Sequence, residues 1–234
     1  MLLLKIPHAS APDTDDVLLA ECDEQFVNIE SFSNGAILTD MKYAKAARPG
    51  AVTVAYVRLG VAERLLQAAR LLPDGFRLKV YDAWRPYSVQ KSLYDEYFEK
   101  LRSMPENEGM GEDELHSMAR RYVSFPVEGK RLSYVHSSGG AIDLTIVDRD
   151  GRELDMGSGF DDFSELSMLD ALEGSGTPAE ENRRLLYTVM TESGFTPYAE
   201  EWWHYDYGDL FWAAMRGENA IYASAYKEEE LNVR

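Results

Sequence analysis

The sequence predicts an α+β fold in which helices flank a central, mostly antiparallel sheet, and three stretches carry that prediction. In residues 76–81, Phe76, Leu78 and Val80 alternate with Arg77, Lys79 and Tyr81, the period of a half-buried strand. Residues 141–147 form a β-branched, apolar run that reads as a buried strand. Residues 177–193 read as a helix with its own boundaries: Thr177 as N-cap, Pro178 at the first position, Glu180 completing a capping box and Gly194 as the stop. Its stripe of Leu185, Leu186, Val189 and Met190 belongs to the core.

Composition bounds the rest. A chain of 234 residues, 45% of them hydrophobic, fits one soluble domain spanning residues 1–234. The net charge of −17, from 24 basic and 41 acidic side chains, excludes a phosphate-binding surface, so nucleic acid is not an expected partner. The opening MLLLKIPHASAPD has too short an apolar run for a signal-peptide core or a spanning helix, so no membrane association and a cytoplasmic location are expected. Cys22 is the single cysteine, which rules out an intrachain disulfide and reads as a buried or idle thiol.

Along the chain, residues 17–60 read as short strands (17–19, 26–29, 52–57) broken at Gly35, Pro49 and Gly50. Val61, Leu65, Leu66, Ala69 and Leu72 then repeat at helical spacing until Pro73-Asp74-Gly75. After the 76–81 strand, Pro86 keeps Arg85 out of the helical region, which places the arginine on a turn at a strand end. Helices through Val89, Leu93 and Tyr97 and through Leu115, Met118, Ala119 and Tyr122 follow; His116 reads as an exposed residue of the second, and His8 lies near an unanchored terminus. Residues 154–163 are rich in glycine and acid and read as a loop, and the tail after 208 adds an aromatic, alanine-rich helix.

The chemistry gathers in two segments. In Tyr134-Val135-His136-Ser137-Ser138-Gly139-Gly140-Ala141-Ile142-Asp143, a histidine and an aspartate seven residues apart bracket two glycines. An unbroken strand would point them to opposite faces, so the glycines are what lets them converge. Taken alone, the stretch reads first as a loop histidine beside a strand aspartate that caps a turn. The run Glu200-Glu201-Trp202-Trp203-His204-Tyr205-Asp206 changes that balance, with a second histidine and a carboxylate three positions before it. His136, Asp143 and His204 make a three-ligand set for catalytic zinc, which keeps an open position for water. Glu201 is then left beside the metal as a general base.

These segments, HSSGGAID and EWWH, resemble the His-x-x-Gly-x-Ala-x-Asp and Glu-x-x-His signatures of the zinc D-alanyl-D-alanine dipeptidases, relatives of the D,D-carboxypeptidases. DAWRP matches that family's Asp-x-x-Arg-Pro, and Met156-Gly157 with Phe160-Asp161 matches its Met-Gly-x-x-Phe-Asp. The resemblance extends from about residue 26 to about residue 207, and it implies the sheet that carries the zinc site. It also implies one zinc ion per chain, a small D,D-dipeptide as substrate, Arg85 as stabiliser of the oxyanion and Asp161 as the contact of the substrate's free ammonium group. Where the wider family has a serine two residues before the first ligand, this chain has Tyr134, expected on the strand face of His136 with its hydroxyl in the pocket. The competing readings are a D,D- or L,D-carboxypeptidase acting on peptidoglycan stems and a non-catalytic zinc-binding module; Glu201 and Arg85 together weigh against the latter.

Overall fold

The computed structural model describes residues 2–162 and 164–233; Phe163, the last residue of the 154–163 loop, lies outside them. In chain order the elements are β1 (Phe26–Asn28), α1 (Ile29–Phe32), β2 (Leu38–Thr39), α2 (Lys42–Lys45), β3 (Tyr56–Arg58), α3 (Leu59–Leu71), β4 (Arg77–Asp82), α4 (Tyr87–Ser103) and α5 (Glu112–Tyr122). They continue with β5 (Ala141–Val147), α6 (Pro178–Glu192), β6 (Thr196–Tyr198), β7 (Glu201–Asp206) and α7 (Leu210–Arg216). The main sheet has the order β2-β4-β5-β7-β6, antiparallel throughout except for the parallel pair β2 and β4. The mixed α+β architecture and mostly antiparallel sheet expected from the sequence are those observed.

Alternation along the strands gives the sheet two unlike faces. Leu78, Val80, Ile142, Leu144, Ile146, Trp203 and Tyr205 share one buried cluster with Val61, Leu65 and Ala68 of α3 and Leu186, Val189 and Met190 of α6. Each such side chain contributes about 1.5–3 kcal/mol on burial, so this layer anchors the strands whose opposite face is polar. Helices α4 and α5 pair through a separate apolar cluster of Tyr94, Phe98, Leu101, Leu115, Ala119 and Val123. No helix among the described residues is long and apolar enough to cross a membrane.

Several local expectations are corrected. Residues 17–19 form only an isolated bridge from Leu19 to Ala220, and the 52–57 run becomes a strand only from Tyr56, because neither run has a partner strand along its length. Cys22 is exposed rather than buried. His116 is half-buried: its Nδ1 lies 2.7 Å from the Tyr94 hydroxyl, and its ring stacks on Phe98 at 4.3 Å. Thr177 does cap α6, but Glu180 closes no box with it; the carboxylate accepts instead from the Gly174 and Gly176 amides at 2.9 and 2.6 Å.

The tail does more than its composition suggested. Ala225 N donates to Ser137 O (2.8 Å), Trp84 Nε1 donates to Ala225 O (2.9 Å), and Tyr87 N donates to Tyr226 O (3.0 Å). The last residues therefore hold together the two turns that carry His136 and Arg85.

Candidate active site

Strand register brings the two sequence segments together. Asp143 of β5 pairs directly with His204 of β7, and a bulge after Val80 in β4 brings Asp82 opposite Asp143 on the other side. Asp82, Asp143 and His204 thus form one row across three neighbouring strands, on the face opposite the apolar layer. His136 reaches the same row from a 3₁₀ turn over residues 135–138. That turn exits through Gly139 at φ +74°, where a Cβ would fall 2.3 Å from the Phe26 ring, and through Gly140, where it would fall 2.5 Å from Tyr207 O. Only glycine fits both places. Arg58 braces the turn from below, donating from Nε to Ser138 O at 2.8 Å.

One nitrogen of each histidine is taken by an outer acceptor. His136 Nδ1 donates to the Ala83 carbonyl at 2.8 Å, which turns Nε2 toward Asp143 Oδ2 at 3.3 Å. His204 Nε2 lies 2.9 Å from Asp206 Oδ1, which turns Nδ1 toward Asp143 Oδ1, also at 2.9 Å. The ligand atoms of His136, Asp143 and His204 lie within 4.8 Å of one another, and all three residues are buried. Two imidazole nitrogens and a carboxylate oxygen converging this closely, with outer partners fixing the rings, fit a zinc ion that keeps an open coordination position. Burial raises Asp143, yet His136 and His204 hold its carboxyl well below the usual range.

Glu201, three residues before His204 on β7, places Oε2 3.8 Å from His204 Nδ1. Burial and the charges of Asp143 and Asp161 push its carboxyl up to about 8 in the metal-free protein, against the opposing pull of His204 and Arg85. A carboxyl poised near neutral pH beside the ligand cluster is suited to taking and returning protons. Arg85 is buried, not on the surface: Nε donates to Asp82 Oδ2 (2.7 Å), Nη1 to Gln90 Oε1 (2.7 Å) and Nη2 to Asp143 Oδ2 (3.4 Å). Removing Asp82 would take away the shortest ion pair of this buried cation and leave it only the longer contact to Asp143.

These groups line one cavity of about 290 Å³, near the small end of ligand pockets, roughly 300–1,000 Å³. Asp161 lines it too, at φ +58°, and accepts from the Tyr43 hydroxyl at 3.0 Å. Burial, aided by the charges of Asp143 and Asp82, pushes Asp161 up to about 7, although Arg85 and Tyr43 oppose this. The helices α4 and α5 supply the outer wall.

Tyr134 lines the pocket but departs from expectation. It precedes the 3₁₀ turn rather than sharing a strand with His136, and its hydroxyl donates to the Arg85 carbonyl at 2.9 Å. It therefore offers the pocket a ring, not a hydroxyl. Sequence reading missed Tyr43, Gln90 and Asp206, which hold Asp161, Arg85 and His204 in turn. For Asp206 a signal existed: strand alternation puts it on the face of His204.

The sequence pattern of the Peptidase_M15 family, described as D-ala-D-ala dipeptidase, matches residues 38–221. A D-alanyl-D-alanine dipeptidase of Synechocystis is 29% identical over 175 residues, which are 67% of this chain and 71% of that protein. One from Enterococcus faecium is 36% identical over 62% of this chain and 69% of its own length. One from Escherichia coli is 36% identical over 57% of this chain, a match spanning just over half, 56%, of its own length. Among solved structures, a vancomycin resistance D,D-pentapeptidase, VanY, in complex with Zn(II) is similar at TM-score 0.42 and 17% identity, covering 72% of this chain and 83% of that one.

Proposed function

The chain belongs to the Peptidase_M15 family of D-Ala-D-Ala dipeptidases, and from that premise we propose that it hydrolyses D-Ala-D-Ala or a similarly small D,D-dipeptide with one zinc ion per chain. The observation that carries the reading is the convergence of His136, Asp143 and His204 within 4.8 Å, with the Glu201 carboxylate 3.8 Å from His204 Nδ1. His136 Nε2, an Asp143 carboxylate oxygen and His204 Nδ1 would hold the metal. Zinc, when bound, supplies a Lewis acid for the scissile carbonyl and lowers the pKa of a water toward about 7.

The chain's own groups do the rest. Glu201 accepts the proton of the attacking water at a carboxylate oxygen and delivers one to the departing amine nitrogen. Arg85, locked by Asp82 and Gln90, holds a cation against the oxygen on which negative charge develops; loss of such a donor costs on the order of 10²–10³ in rate. Asp161 receives the substrate's ammonium group, oriented by the Tyr43 hydroxyl. A blocked amino terminus would leave that carboxylate buried without its counter-charge, which is how longer peptides are refused.

The test is a comparison of D-Ala-D-Ala with N-acetyl-D-Ala-D-Ala, which share the scissile bond. The zinc-loaded enzyme is expected to lose about 10² or more in kcat/KM on acetylation. Equal rates on the two would overturn the dipeptidase reading in favour of a carboxypeptidase, and would leave the metal set and Glu201 in place.

A further inference from the structure

A free dipeptide brings two charges into the pocket, and Asp161 answers only the ammonium. Resting on the dipeptidase reading, we propose that Arg121, at the end of α5, is the partner of the substrate's C-terminal carboxylate and so sets the specificity for an unblocked carboxyl end.

The argument begins with a charge census. Five cationic side chains (Arg48, Arg85, Lys100, Arg120 and Arg121) and four acidic ones line the cavity, in a chain whose net charge is −17. A wall this rich in cations, on a strongly acidic protein, is suited to an anionic ligand. Most of the five are engaged. Arg85 gives three of its five N–H groups to Asp82, Gln90 and Asp143 and is the cation assigned to the oxyanion. Arg48 donates to Ser92 Oγ at 3.1 Å and to Glu96 Oε2 at 2.7 Å. Arg120 lies over the Phe125 ring at 5.6 Å and interacts with the Tyr94 hydroxyl. Lys100 stands over the Tyr97 ring at 5.9 Å, farther along α4.

Arg121 differs. Its guanidinium lies over the Tyr122 ring at 5.5 Å, but its ion pair is long, Nη2 to Glu200 Oε2 at 3.8 Å, and its side chain is 61% exposed. A guanidinium in this state can exchange a loose contact for a short, two-pronged one to a carboxylate at little cost. Its place in the pocket is also right. Glu200 immediately precedes Glu201, and Tyr198, whose ring meets His204 at 5.6 Å, is in the field of both Glu201 and Arg121. Arg121 therefore stands on the Glu201 side. Because Glu201 returns its proton to the departing amine, the C-terminal residue must lie there. Asp161, held by Tyr43, takes the other end. Tyr134 offers no competing donor, since its hydroxyl is bound to the Arg85 carbonyl.

The experiment compares D-Ala-D-Ala with its C-terminal carboxamide, using zinc-loaded wild type, Arg121→Gln and Arg121→Lys. The wild type is expected to prefer the free acid about tenfold or more in kcat/KM, through KM, because the carboxylate's charge is the same in the ground state and the transition state. Arg121→Gln should raise KM for the free acid about tenfold, leave the amide unchanged and so erase the preference, and Arg121→Lys should restore part of it. Equal cleavage of acid and amide by the wild type would overturn the proposal while the dipeptidase reading stands, as would a preference that survives Arg121→Gln. Cleavage of neither compound by the wild type would overturn both.

Discussion

His136 and His204 approach the same carboxylate from unlike supports, and the contrast shows two ways of fixing an imidazole. His136 sits on a turn, and its outer nitrogen donates to a neutral backbone carbonyl, Ala83 O. Its place depends on chain geometry: two glycines, the Arg58 brace and the tail at Ala225. His204 sits in mid-strand, and its outer nitrogen meets a fully buried carboxylate, Asp206. Burial lowers its pKa, but Asp206 and Asp143 outweigh this and raise it well above the usual value. One histidine is placed by backbone shape and the other by charge. In the metal-free protein His204 is the imidazolium between two carboxylates, so zinc must displace its Nδ1 proton and binds more weakly as pH falls.

The predictions probe this contrast, beginning with the largest effect. Glu201 shares a strand with His204 but stands outside the metal set. Glu201→Gln keeps shape without basicity and is expected to retain zinc, read by metal analysis, while turnover falls by at least about 10². Near-normal turnover would remove Glu201 from the mechanism. Next, Asp206→Asn replaces the charged support of His204 with a neutral one, making it like that of His136. Zinc affinity, measured by competition with a chelator, should fall by about 10–100-fold; an unchanged affinity would mean that the two supports are equivalent.

The smallest effect is at the far end of the pocket, where Asp161 tests whether charge acts in the same way away from the histidines. Its folded-state pKa of about 7 exceeds the ordinary 3.8, so the folded protein holds a proton that the unfolded chain has released between those values. The stability of the metal-free protein therefore falls as pH rises through that window. Asp161→Asn removes the dependence, and relative to wild type its melting temperature should be higher at pH 8 than at pH 4 by about 2 °C or more. A difference independent of pH would show that Asp161 titrates as an ordinary carboxyl.

The sequence by itself determined the strands at 76–81 and 141–147 and the helix at 177–193, and it singled out His136, Asp143, Glu201 and His204 as candidates, because periodicity and the short spacings H-x₆-D and E-x-x-H are local properties. It also fixed the glycine pair, whose need is local to the turn. Only the tertiary structure decided what faces what. The pairing of Asp143 with His204 is a register between strands sixty residues apart, and the bulge that brings Asp82 into the row leaves no mark in composition. Tyr43 reaches Asp161 across 118 positions, and the tail reaches Ser137 across 88, through single hydrogen bonds that no periodicity encodes. Tyr134 makes the same point: its residue type was legible, but the destination of its hydroxyl depended on a carbonyl 49 residues away that only folding brings within 2.9 Å.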